Sequence, residues 1–101
     1  MTIEATRAMT TVLDPTTPPA PVHARLAPRP ESLNGLRLGL LDNHKRNAAG
    51  VLDEIEKLIS QRYELASVVR RYKTDVSRPC PEETVADMAA QADMVIIAIG
   101  D

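Results

Sequence analysis

The sequence predicts an α/β fold: half of a doubly wound parallel sheet, in the order β-α-β-α-β over residues 36–101. Three observations predict it. Short aliphatic runs recur three times, and each gives way to polar or glycine residues. Between them the apolar residues switch to helical spacing. The third run is apolar almost throughout, as a strand covered on both faces should be. Right-handed crossovers then place the first strand in the middle, in spatial order 2-1-3. A proline-rich arm, residues 1–33, precedes this incomplete domain of residues 34–101.

The arm holds six of the eight prolines: Pro15, Pro18, Pro19, Pro21, Pro28 and Pro30. Proline fixes φ and removes a backbone donor, so extended, polyproline-like conformations are favoured there. Two readings stay open, a disordered tail and an ordered arm that wraps a partner subunit.

Leu36-Arg37-Leu38-Gly39-Leu40-Leu41 reads as the first strand, closed by Asp42-Asn43-His44-Lys45. Ala48, Val51, Leu52, Ile55, Leu58 and Ile59 then share one helix face, opposite Asp53, Glu54, Glu56 and Lys57. Asn47 is placed to cap that helix. Leu65-Ala66-Ser67-Val68-Val69 reads as the second strand, ending at Arg70, Arg71 and Lys73. Pro81 is expected at the first position of the second helix, with Glu82 and Glu83 in its first turn. Val85, Met88, Ala89 and Ala92 give that helix its apolar stripe, and Met94 to Ile99 is the third strand.

The totals exclude several function classes. The net charge is −2, without the basic excess of a nucleic-acid footprint or a polybasic membrane signal. No run of 18 apolar residues exists, and no secretory signal pattern is read at the N-terminus. Cys80 is the only cysteine, so the chain forms no internal disulfide, and a reducing cytoplasm is expected. Phe and Trp are absent, which argues against base stacking. Neither a Gly-x-Gly-x-x-Gly nor a Gly-Lys-Ser/Thr run follows the first strand. His23 and His44 lie far apart, so neither a metal nor another cofactor is expected.

Ligands of parallel α/β sheets bind beyond the carboxyl ends of the strands. The segment 41–47, the run Arg70-Arg71-Tyr72-Lys73 and the pair Gly100-Asp101 are expected to meet there. The first is the richest, with a carboxylate, two amides, a histidine and two cations before a helix N-terminus, an end that attracts anions. Asp42, His44 and Asp101 are the candidate catalytic residues. Asn43, Lys45, Asn47, Arg70 and Gly100 are the candidate substrate-binding residues. A polar loop with a capping asparagine explains the first segment as well.

These segments carry a resemblance. The run Gly39 to Ala48, the run Val68 to Lys73, Ser77-Arg78-Pro79 and the ending Val95 to Asp101 together resemble the UGSC family. That family is named for a selenocysteine- or cysteine-Gly-Ser-Cys motif, into which its Gly-Asp pair runs directly. A looser likeness is to the aspartate/glutamate racemase superfamily, where a first strand ending in Asp and a small polar residue is similar to Asp42-Asn43. That superfamily acts on small carboxylates through carbanions or thiol adducts.

The resemblance implies that the reactive thiol or selenol lies outside these 101 residues. The chain is therefore expected to be the N-terminal part of a two-chain, thiol-dependent enzyme for a small polar or anionic substrate, with hydrolase, lyase or isomerase chemistry. A partner chain following Asp101 would bring the cysteine and complete the sheet as a hetero-oligomer. Precursor cleavage after Asp101, a split gene or trimming would each give this end. A non-catalytic anion-binding or regulatory subunit and a thiol or selenol redox subunit are the rival expectations.

Overall fold

A computed structural model of the chain describes residues 9–21 and 25–100. The order is β1 (Arg37–Asp42), α1 (Ala48–Arg62), β2 (Ser67–Tyr72), α2 (Glu82–Gln91) and β3 (Met94–Ala98). All pairing is parallel and the sheet order is β2-β1-β3. This is the half-sheet α/β architecture expected from the sequence.

Strand periodicity sorts the side chains onto two faces. Leu38 and Leu40 of β1, with Ala98 of β3, form one buried cluster with Ala48 and Leu52 of α1. Leu38, Leu40 and Leu52 are fully buried, each contributing about 1.5–3 kcal/mol. On the other face Gly39 lets α2 approach. A Cβ at Gly39 would stand 2.8 Å from Met88 Cε, 3.0 Å from Ala92 Cβ and 3.1 Å from Val95 Cγ2. One helix thus covers each face, and β1 lies in the middle of the sheet.

Four details correct the sequence expectations. β1 runs Arg37–Asp42 rather than 36–41, so Asp42 belongs to the strand and is only 3% exposed. β2 runs Ser67–Tyr72 rather than 65–69, which brings Arg70 and Arg71 inside it, opposite Leu40 and Leu41. Their stems cover sheet surface while their heads reach carboxylates on the helices, Asp53 for Arg70 and Asp87 for Arg71. Pro81 precedes the second helix at the cap position instead of opening it. Asn47 occupies the cap position of α1 with φ 70°, but its side chain makes no capping bond.

β3 spans five residues, ending at Ala98. It is less covered than its composition suggested. Met94, Ile96 and Ala98 pack toward α1, whereas Val95 and Ile97 are 40% and 64% exposed. Val85 of α2, expected within the apolar stripe, is also exposed. In the arm, residues 9–21 and 25–30 form neither helix nor strand. Asp14 Oδ1 accepts from the Thr16 amide and hydroxyl at 2.9 and 2.6 Å, which shapes one turn.

Candidate functional site

The crevice between β1 and β3 is the point where the chain's winding reverses, and such switch points gather ligands. One side chain joins the two strand ends. Asn43 Nδ2 donates to Ile99 O at 2.8 Å, and Asn43 Oδ1 accepts from Ile99 N at 2.9 Å. Its own amide donates to Ala98 O at 2.9 Å. The amide of Asn43 therefore imitates one more residue of sheet pairing beyond Asp42. The Ala98–Ile99 peptide beside it is cis.

Asp42 shapes the next step of the chain. Its Oδ1 accepts from the His44 amide at 2.8 Å, closing an Asx turn. Asn43 Oδ1 also accepts from the Lys45 amide at 3.3 Å. These two bonds fold the loop back and hold His44 at φ 61°, where non-glycine residues are uncommon. The His44 ring lies 5.4 Å from the Tyr72 ring, tilted by 34°. Lys45 O then accepts from Ala48 N at 3.1 Å, and α1 begins.

The loop after β2 supplies another part of the site's lining, Val76 and Ser77. Lys73 Nζ donates to Arg78 O at 2.5 Å and Val76 O at 3.4 Å, gathering the loop round one ammonium. Asp75 Oδ1 accepts from the Ser77 amide and hydroxyl at 2.9 and 2.7 Å, and these bonds hold the Asp75 carboxyl below its ordinary range. Ser77 Oγ has its proton on Asp75, so it meets any further group as an acceptor.

Together these loops enclose an open cavity of about 680 Å³, lined by His44, Lys45, Arg46, Val76, Ser77, Ile99 and Gly100. This is within the size range of small-molecule sites. Of the residues the sequence singled out, His44, Lys45 and Gly100 line it. Asp42 and Asn43 stand behind it and shape its loop. Asn47 and Arg70 are not part of its lining. Arg70 donates to Asp53 Oδ1 at 2.5 Å and to Ala49 O at 2.9 Å, and the Asp53 bond raises its pKa. Asp101 lies outside the described residues.

Four lining residues are not among the candidates drawn from the sequence: Arg46, Val76, Ser77 and Ile99. The Asp-x-Ser spacing of 75–77 was the available signal for the Ser77 turn. Arg46 is the arginine of the lining. Arg37, Arg70, Arg71 and Arg78 each pair with an aspartate, namely Asp93, Asp53, Asp87 and Asp75. Arg46 has no such partner among the described residues, and neither do Arg25, Arg29 and Arg62, which lie away from the cavity lining. The free thiol of Cys80 belongs elsewhere. It lines a smaller apolar groove of about 250 Å³ between α2 and the sheet, with Leu41, Val85, Met88, Ala89, Val95 and Ile97. Among the described residues no cluster of three His, Cys, Asp or Glu is placed to hold a metal. No helix there is long and apolar enough to cross a membrane.

The fold and this crevice define a parallel α/β protein with a cationic, partly apolar cavity at the carboxyl edge of its sheet. The sequence model of the UGSC family matches residues 11–101, and the chain belongs to that family. The match reaches back into the proline-rich arm. No curated protein and no solved structure shows significant similarity to the chain.

Proposed function

We propose that the chain forms the substrate-binding half of a thiol-dependent enzyme acting on a small anionic substrate in the cytoplasm. The chemistry is that of a hydrolase, lyase or isomerase. The nucleophilic cysteine sits on a partner chain, which pairs with β3. The observation that carries this reading is the cavity at the β1–β3 crevice, with His44, Lys45 and Arg46 on one wall. Family membership supports it, since a cysteine motif gives the UGSC family its name. Cys80 is no substitute, because it faces the apolar groove beside α2.

In this scheme Lys45 and Arg46 draw the anion in, and His44 holds or moves a proton at the reacting atoms. Asp42 and Asn43 position these residues through backbone bonds. Gly100 borders the cavity beside them. A second reading has its own support. Asp42 and Asn43 are both engaged with backbone groups, which suits a non-catalytic anion-binding subunit equally.

Coexpression with the residues encoded downstream decides between them. In the enzyme reading, thiol alkylation of the assembled protein abolishes turnover of a substrate found by screening small carboxylates and their amides and esters. His44→Ala then lowers kcat at least tenfold, equivalent to about 1.4 kcal/mol of barrier. Anion binding that survives alkylation, with no turnover of any screened compound, establishes the binding subunit instead.

A further inference from the structure

The lining of the β1–β3 cavity says more about its ligand than charge alone. We propose that the cavity takes an amphipathic monocarboxylate: one carboxylate on a short, branched hydrocarbon body. This rests on the reading that the crevice is the substrate site, and it narrows the class of substrate.

Besides the ammonium of Lys45, the lining offers the carboxylate one guanidinium. Arg46 is exposed, lines the cavity and lacks the aspartate that matches Arg37, Arg70, Arg71 and Arg78. A guanidinium fork meets a carboxylate through two parallel N–H···O bonds. The His44 ring, held against Tyr72, borders the same wall. The same cavity is lined by Val76, half exposed, and Ile99, half buried. Their branched side chains present hydrocarbon to whatever Arg46 holds.

A second charged end would be driven against Val76 and Ile99. Any hydration it loses against those side chains is uncompensated by them, which disfavours a dicarboxylate reaching across them. A hydrocarbon body gains on the same surface, since each buried CH₂ contributes about 0.8 kcal/mol. Ser77 refines the choice. Its hydroxyl proton is on Asp75 and its oxygen accepts, so a donor on the substrate, such as a 2-hydroxyl or 2-amino group, has a place to bind.

The test is a titration of the protein in the form in which it purifies, alone or with a companion chain. The probes are 3-methylbutanoate, acetate, butanedioate and inorganic phosphate, followed through the Arg46 side-chain N–H and the Val76 and Ile99 methyl signals. The expected result is that 3-methylbutanoate moves all three sets and binds at least fivefold more tightly than acetate, butanedioate or phosphate. Arg46→Gln should abolish binding, with an unchanged amide spectrum elsewhere showing that the fold persists. Val76→Ser, at an exposed position, should remove the preference for 3-methylbutanoate over acetate while acetate still binds. Equal or tighter binding of butanedioate or phosphate overturns the amphipathic class and leaves the anion-binding crevice standing. If no probe moves the Arg46 signal, the crevice is not an anion site, and both readings fall together.

Discussion

At the scale of single residues, the loop after β1 depends on two side chains that imitate backbone. Asn43 joins Ile99 through both its amide atoms, and Asp42 accepts from the His44 amide. Asn43→Ala removes three internal bonds at once, two to Ile99 and the longer one from the Lys45 amide. A neutral hydrogen bond contributes about 0.5–1.5 kcal/mol net, so the expected loss is about 1.5–4.5 kcal/mol. A lower urea midpoint at constant m-value is the measurement. Asp42 separates by chemistry. Asp42→Asn keeps the oxygen that receives the His44 amide, whereas Asp42→Ala does not. If Asp42 positions the loop, Asn retains ligand binding or turnover and Ala loses most of it. If both variants fail equally, the charge itself takes part. None of this was visible in residue spacing. The stretch 42–47 was legible as a polar loop ahead of a helix, but spacing cannot tell a carboxylate that faces a ligand from one that closes a turn. Arg70 shows the reverse error. It read as a cation at a strand end, yet the strand runs two residues further and Asp53 takes its charge.

At the scale of elements, the alternation of runs and helical stripes made the order and the sheet topology legible. Composition decided these features, because Leu38, Leu40 and Leu52 have nowhere else to go. The ends were not legible, since β2 is extended by pairing with β1 rather than by its own apolar residues. The close approach of α2 to β1 rests on Gly39, and it yields a prediction. Gly39→Ala places a methyl 3.0 Å from the Ala92 Cβ, which has no flexible end to move. Overpacking of this kind typically costs about 1–3 kcal/mol. The melting temperature should fall by several degrees, and Met88→Ala in the same chain should not restore it fully. The start of β1 is also tied to the turn before β3. The Arg37 amide and guanidinium both donate to Asp93, whose carboxyl is held below its ordinary pKa of 3.8 chiefly by the guanidinium bond. A lowered carboxyl pKa adds stability that is present above 3.8 and is lost as pH falls through the folded-state value. Acid titration of unfolding midpoints should therefore show a steeper loss below that pH in the parent chain than in Asp93→Asn. Identical slopes would remove the pair from the account.

At the scale of the whole molecule, a sheet of three strands leaves β3 as an edge among the described residues. Val95 and Ile97 stand out from the α2 face of that edge, next to an apolar groove. Unpaired strands with apolar faces invite pairing, and natural sheets cover, charge or shorten them. β3 contains no charged residue in Met94–Ala98. The arm adds further uncovered hydrocarbon at Met9, Val12, Leu13 and Leu26, and the family match includes most of its length. We therefore expect a second chain to add a strand beside β3, and the total area buried should reach the obligate range of roughly 2,000 Å². Ile97→Lys is the discriminating variant. An exposed position tolerates substitution within about 0.5 kcal/mol, so the isolated fold should keep its far-ultraviolet spectrum. A lysine on that edge should nonetheless prevent coelution with the partner chain in size-exclusion chromatography with light scattering. The outcome that sinks the idea needs no variant: a folded, monodisperse species of 11.0 kDa that gains neither mass nor stability when the partner chain is added.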